Sequence, residues 1–396
     1  MRIELINTGS ELLLGFTVNT HANYIADKLS ERGLRLIRQT TVGDDRAEMR
    51  AAVAAALGRS DIILITGGLG PTSDDFTRDV VAELLGQRLI CNSTVIAAIT
   101  DRFRRRNRTM PESVLVQALV PEGATVLENA NGTAPGLYLE RDGKQIYLLP
   151  GPPRELKPMF ETFVMPRLPK RDRLDCRVFK VAIMPESLVE EAVAPVLKGL
   201  PGIELGYCAR IGEVEVRIIG ESLDEAERRI RAALGDSIFG SADDRLEAVV
   251  IPMLAGKTLA TAESCTGGLI ANRLTNVSGS SAAFLTGYVT YSNESKMRLL
   301  GVREETLRAH GAVSEQTCRE MAEGARRHAD FALATTGIAG PTGGTLEKPV
   351  GLVFIGLATP ARTVVERHVF SFDRETFKQI VSQHALDALR RELVAK

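Results

Sequence analysis

Residues 61–84 read DIILITGGLGPTSDDFTRDVVAEL, and this stretch decides the fold of the N-terminal part. A continuous apolar run, too short for a helix, ends in a glycine-rich turn, and a helical pattern comes after it. A fully apolar strand leading into a helix is the signature of a parallel sheet covered on both faces. The flanking sequence keeps the same rhythm. RIELINT reads as a strand, NTHANYIADKLSERG as a helix, LRLIRQTTV as a strand and AEMRAAVAAALGRS as a helix. The expected fold is therefore α/β, with a doubly wound parallel sheet over residues 1–170 and an exit linker at Pro166, Pro169 and the charged run KRDR.

Ligands of such sheets bind beyond the strand C-termini. Gly67, Gly68 and Gly70 offer a backbone cradle there for a phosphate, and the next helix adds its positive end. The pattern is neither GxGxxG nor a P-loop, since no Lys-Ser/Thr follows. Asp74 and Asp75 would repel a bare pyrophosphate. A divalent cation such as Mg²⁺ between carboxylates and phosphates reconciles the two, with Glu11 and Asp44 at strand exits on the same edge as further ligands. The competing reading is that Asp74 and Asp75 only complement the helix dipole.

The chain has 396 residues, 44% hydrophobic and 25% charged, with a formal net charge of -1. Such a length calls for two or three domains. Near-neutral charge supplies no electrostatic case for nucleic acid or an anionic membrane as a partner. The cluster Arg102, Arg104, Arg105, Arg106 and Arg108 reads as the solvated face and end of one helix. Five scattered cysteines without a CxxC pair argue against a disulfide framework or a structural zinc site. No apolar run reaches the roughly 18 residues of a membrane span. MRIELINTGSE enters a strand pattern directly, so a cytoplasmic protein is expected.

Residues 171–243 change character. CRVFKVAI, IELGYCA and EVEVRIIG read as strands, with helices ESLVEEAVAPVLKG and SLDEAERRIRAAL, giving a small β-α-β-β-α module. Residues 244–396 return to α/β, and TLATAESCTGGLIANRL there carries the strongest signal. A strand ends at Glu263-Ser264-Cys265-Thr266 and a helix is expected to open at Gly267-Gly268. Its free N–H groups could stabilise an oxyanion, and the two glycines would let a substrate approach. A plain helix N-cap at Ser264 or Thr266 is the alternative. YVTYSNESKMRLLGV then places Tyr291 and Lys296 at a strand-to-helix junction. With only five histidines, a lysine is the natural base for a serine. The amine must fall from ~10.4 to roughly 7–8, about 4 kcal/mol of differential stabilisation, which burial can supply. TTGIAGPTGG with Lys348-Pro349-Val350-Gly351 offers a third backbone cradle, for phosphate or ribose.

AESCTGG, YSNESK, GAVSEQT and TGIAGPTGG…EKPVG together resemble the C-terminal domain of the competence/damage-inducible CinA family, and the likeness runs along the whole chain. That resemblance implies a nicotinamide mononucleotide (NMN) deamidase in residues 244–396, needing no cofactor. It implies Ser264 as nucleophile and Lys296 as base, with Tyr291 beside them. Thr266 and Cys265 stay open as alternative nucleophiles. Gly267, Gly268, Thr336, Gly337 and Arg374 fall at the substrate, Arg374 toward its phosphate. GGLGPTSDD…TRD, GTAPGLYLE and LLPGPPREL resemble the molybdopterin-binding fold. In this family that fold implies a metal-dependent hydrolysis of ADP-ribose to AMP and ribose 5-phosphate. The middle module is KH-like by the same resemblance. Yet its one GxxG, Gly199-Leu200-Pro201-Gly202, follows a helix and enters a strand, where a KH clamp needs helices on both sides. A connector, with a homodimer as the expected assembly, fits better than nucleic-acid binding. A non-catalytic competence-associated scaffold and molybdopterin handling are the rival functions.

Overall fold

The computed structural model describes residues 1–170 and 175–395. Arg171, Asp172 and Arg173 of the expected linker therefore lie outside the described residues. The chain divides into two compact units, Met1–Leu174 and Asp175–Lys396.

The first unit is built on a six-stranded sheet in the order Leu36–Val42, Ile3–Thr8, Ile62–Thr66, Lys144–Leu149, Gly136–Arg141, Thr125–Leu127. The first four strands run parallel. The last two are antiparallel, an addition to the expected all-parallel sheet. Its cause is local: Asp142 (φ 51°) and Gly143 (φ 74°) form the two-residue turn of a hairpin, the Asp-Gly pairing that favours positive φ at both positions. Burial obeys the period of two that strands impose. Ile63 and Ile65 enter the core made with helices Arg46–Arg59 and Thr77–Leu84. Ile62 and Leu64 enter the opposite core, with Ile25, Leu29, Leu156 and Phe160. Both faces are covered, which is why Ile62–Thr66 is buried along its whole length.

In the second unit, Cys176–Ala182, Ile203–Arg210, Glu213–Gly220 and Ile238–Gly240 form an antiparallel sheet. Helices Glu186–Leu197 and Leu223–Leu234 pack against each other and on it through Val189, Val193, Ala226 and Ile230. Gly199 (φ 87°) and Gly202 (φ 65°) form the turn from the first helix into a strand. This module shares a core with the C-terminal residues. Ala182 and Phe239 join Leu246, Phe377 and Leu386, and the Arg390 guanidinium donates to the Asp236 carbonyl at 2.5 Å.

The remaining sheet has the order Phe284–Val289, Leu259–Glu263, Phe331–Gly337, Leu352–Ala358, Thr363–Val369. The first three strands are parallel and the last two antiparallel. Alternation again divides it. Leu259, Phe331 and Leu333 face the helix Arg374–Val394. Ala260, Ala262, Ala332 and Ala334 face Glu315–Arg326, whose approach these small side chains permit. No helix among the described residues is long and apolar enough to cross a membrane.

Candidate functional site

Parallel register assembles the C-terminal site. Glu263 pairs with Val289 and Thr335, so three strand ends finish side by side at one sheet edge. The Ser264 amide donates to the Thr335 carbonyl (2.9 Å) and the Thr290 amide to the Glu263 carbonyl (2.9 Å). Ser292 caps the next helix, Asn293–Leu300, by accepting from the Ser295 amide. Lys296, one turn in, points back under the strand ends. Its Nζ donates to Ser264 Oγ at 3.1 Å, to the Thr290 carbonyl at 2.8 Å and to the Tyr291 carbonyl at 3.4 Å.

Lys296 is 1% exposed, and no carboxylate is hydrogen-bonded or ion-paired to it among the described residues. Burial pushes its amine below the ordinary lysine range, since desolvation penalises the charged form. The rival nucleophiles sit differently. Burial pushes the Cys265 thiol up to about 12, which leaves it protonated at neutral pH. The Thr266 hydroxyl is fully buried and hydrogen-bonded to the Thr335 hydroxyl at 2.7 Å.

Two expectations change. The helix begins at Leu269, after Gly267 (φ 62°) and Gly268 (φ 91°), which turn the chain in left-handed conformations. Its first free N–H groups are already taken: Glu263, fully buried, accepts from the amides of Ile270 (3.1 Å) and Ala271 (2.9 Å). An oxyanion would therefore have to use amides of the Ser264–Gly268 turn, not of the helix. Thr336 is also not presented to a ligand. It is fully buried and its hydroxyl donates to the Ala312 carbonyl at 2.7 Å, because its strand is central and covered on both faces. Gly337 ends that strand under the Leu352 and Val353 backbone.

Tyr291 is 63% exposed, and its hydroxyl accepts from Arg374 at 2.8 Å, while Arg374 also donates to the Gly340 carbonyl at 3.0 Å. These two bonds join the segment before Lys296, the loop after Gly337 and the start of the last helix. One turn along that helix, the Lys378 ammonium lies 3.6 Å from where a Cβ on Gly267 would stand. Sequence reading missed Lys378. Its spacing of four from Arg374 on a helix was the available signal.

In the first unit, Glu11, Asp44, Gly67, Gly68, Gly70, Asp74 and Asp75 all line one cavity of about 420 Å³. The glycines are required there. A Cβ on Gly68 would stand 2.1 Å from Thr77 Oγ1, and one on Gly67 2.5 Å from Thr8 Oγ1. Several carboxylates are committed to the backbone. Asp44 accepts from the Ser10 amide (2.8 Å), and Asp75 from the Thr72 amide (3.0 Å) and hydroxyl. Hydrogen bonding to Thr72 also holds Asp74 below the ordinary carboxylate range. No three His, Cys, Asp or Glu side chains among the described residues converge to hold a metal. The expected four-carboxylate set is thus not a closed cage. The donors do suit Mg²⁺ held by one or two carboxylates, with water and ligand oxygens completing its shell.

The same cavity is lined by Arg102, Arg106, Gln117, Thr133, Pro150, Gly151, Arg154 and Glu155. So the arginine cluster divides. Arg104 and Arg105 pair with Asp101, as a solvated helix end should, whereas Arg102 and Arg106 border the cavity. Gln117 is 1% exposed; its Nε2 donates to the Leu69 carbonyl at 3.3 Å and its Oε1 has no partner among the described residues.

Two parts of the chain match known families. Residues 4–170 match the probable molybdopterin binding domain and residues 243–393 the CinA C-terminal domain. A CinA-like protein of Kosmotoga olearia is 43% identical, covering 100% of this chain and 99% of its own. One of Akkermansia muciniphila is 45% identical over 100% and 99% respectively. Among solved structures, the competence/damage inducible protein CihA from Agrobacterium tumefaciens is 40% identical with a TM-score of 0.36, covering 38% of this chain and 98% of that one. End-to-end identity of this order with both domain matches means that the chain belongs to the CinA family.

Proposed function

We propose that the C-terminal domain is an amidohydrolase that converts the carboxamide of NMN to the carboxylate with release of ammonia. The observation that carries this reading is the buried Lys296 amine 3.1 Å from the Ser264 hydroxyl. In its neutral form the amine takes the Ser264 proton as Oγ bonds to the amide carbon. The Ser264 and Gly267 amides are already bonded, so the Cys265, Thr266 and Gly268 amides of the turn would donate to the developing oxyanion. Lys296 then returns the proton to the departing nitrogen, which leaves as ammonia. Water attacks the resulting ester in the same way, regenerating Ser264 and yielding nicotinate mononucleotide. Arg374 and Lys378, one helical turn apart, would receive the ligand's phosphate.

For the N-terminal domain we propose metal-dependent hydrolysis of a nucleoside diphosphate sugar, ADP-ribose being the substrate that the family resemblance suggests. The Gly67–Gly70 loop and the arginines Arg102, Arg106 and Arg154 would hold the pyrophosphate. A divalent cation, bound by Asp74 or Asp75 with Glu11 nearby, would offset its charge and supply activated water.

The test is ammonia release from NMN. Ser264→Ala should lower it at least ~10³-fold, the scale of removing a covalent nucleophile, with an unchanged melting temperature. Cys265→Ala should retain activity. An active Ser264→Ala protein would sink the assignment, and an inactive wild type would favour a non-catalytic scaffold.

A further inference from the structure

The helix after the nucleophile turn, Leu269–Thr275, is held by more than apolar packing. Its Ile270 and Leu274 enter the core that Val381 and Leu386 share. Arg273, on the same helix, joins two further helices at once. Its Nε and Nη2 donate to Glu247 of Leu246–Met253, at 3.1 and 2.7 Å. Its Nη1 donates to Ser382 Oγ at 2.8 Å, and Nη2 also donates to Gln383 Oε1 at 2.7 Å. We propose that Arg273 is a positioning residue for the amidase site. It sets the register between the Ser264 turn and the cations that grip the substrate's phosphate, and it connects both to the middle module. The proposal rests on reading Ser264, Arg374 and Lys378 as the site of NMN hydrolysis.

Three observations carry it. First, Arg374, Lys378 and Ser382 recur at intervals of four on the helix Arg374–Val394, so they share one face. Lys378 approaches Gly267 of the nucleophile turn, and one helical turn on, Ser382 meets Arg273. The last helix thus follows the turn and the helix after it along a single seam. Second, the partners of Arg273 are enclosed: Glu247 is 6% exposed, Gln383 4% and Ser382 0%. Apolar contacts tolerate repacking, whereas a planar fork bonded on three sides to buried partners fixes both distance and angle. Third, the network leaves the domain. Gln383 Nε2 donates to Glu213 Oε2 at 3.4 Å, and Glu213 Oε1 lies 3.5 Å from Lys180 Nζ. Glu213 and Lys180 both belong to the antiparallel sheet of the middle module. Gly212, at φ 72°, comes so close that a Cβ there would stand 2.8 Å from Gln383 Cγ. The hairpin at residues 210–213 therefore rests on the helix that carries Arg374 and Lys378.

Ammonia release by the full chain, from NMN and from nicotinamide riboside (the same molecule without its phosphate), tests this role. In the wild type, kcat/KM should favour NMN. Arg273→Met should lower kcat/KM for NMN at least ~10-fold, the scale of a misplaced substrate, and leave the riboside within about threefold. That change leaves Glu247 buried without its cation, so Arg273→Met combined with Glu247→Leu removes both charges and should show the same selective loss. Glu213→Ala should weaken NMN in the same sense by about two- to fivefold, and adding it to Arg273→Met should cost less than the product of the two. The positioning role is overturned if NMN and riboside fall in parallel in folded variants, as general loosening would cause, or if NMN turnover is unchanged. Multiplicative effects of Glu213→Ala and Arg273→Met, or an inert Glu213→Ala, would overturn the link to the middle module. A wild type that turns over both compounds equally would remove the phosphate grip, and the proposal with it. A wild type inactive on both would instead sink the amidase reading on which the proposal stands.

Discussion

Lys296 shows how one side chain can hold function against stability. Its amine is buried with two carbonyls and a hydroxyl, and among the described residues no counter-charge is bonded to it. The folded protein therefore holds its proton less tightly than the unfolded chain does. Because the folded pKa lies below the unfolded one, the unfolded chain binds more protons between the two, and stability rises with pH across that window. At pH 7 the native state carries the burden of this lysine. Lys296→Met should abolish ammonia release, yet leave the melting temperature at pH 7 unchanged or higher; a fall of several degrees would show that the lysine is structurally stabilising. In the wild type, kcat/KM for NMN should climb with pH through the lowered amine pKa and then level off. A profile that falls over the same range would exclude Lys296 as base.

At the scale of elements, Glu263 is the counterpart of that lysine. It ends a strand and immediately caps the next helix, Leu269–Thr275, through two amides seven and eight residues on. Removing a buried acceptor leaves both donors unsatisfied, at roughly 1–3 kcal/mol. Glu263→Ala should therefore lower stability in urea by about that amount, and it should also loosen the Ser264 turn and reduce activity. Full activity in Glu263→Ala would mean that the turn holds its shape without the cap. Gly68 makes the parallel point in the other unit. With φ 65° and Thr77 Oγ1 2.1 Å from a hypothetical Cβ, Gly68→Ala should cost about 1–3 kcal/mol and impair phosphate binding, measured by calorimetry with pyrophosphate.

For the molecule as a whole, the two compact units predict separable activities. Asp75→Asn should impair ADP-ribose hydrolysis and leave NMN deamidation unchanged, and equal loss of both would refute independent sites. The second unit should also be sensitive to acid. Burial, aided by the neighbouring His368, pushes His384 down to about 4, and its ring lies against His368 and Phe370. Its folded pKa is below the unfolded value of ~6.5. Stability should thus be full above about pH 6.5 and fall as pH drops toward 4, by up to about 3 kcal/mol. His384→Phe should flatten that slope in urea melts between pH 4 and 7, and an unaltered slope would place the acid sensitivity elsewhere.

Much of this was legible from residues alone. Apolar strands such as Ile62–Thr66, the turn Gly67–Gly70 and the AESCTGG turn announce α/β units with sites at strand C-termini, because period and glycine placement are local properties. The hairpin at Asp142-Gly143 could also have been read from its dipeptide. Other features could not. Whether Ser264, Cys265 or Thr266 meets the amine depends on which way three successive side chains face once parallel register sets three strand ends together. The family resemblance implied Thr336 as a ligand contact, yet its strand is central and its hydroxyl is spent. Arg102 and Arg106 looked like a solvated helix end, since one helix taken alone does not say what packs against it. Period and glycine placement thus determined the α/β folds and the edges at which chemistry can occur, and the long motifs carried the resemblance to the family. Tertiary structure decided which of the candidate groups there are buried, paired or left unspent, because burial and pairing depend on residues distant in the chain.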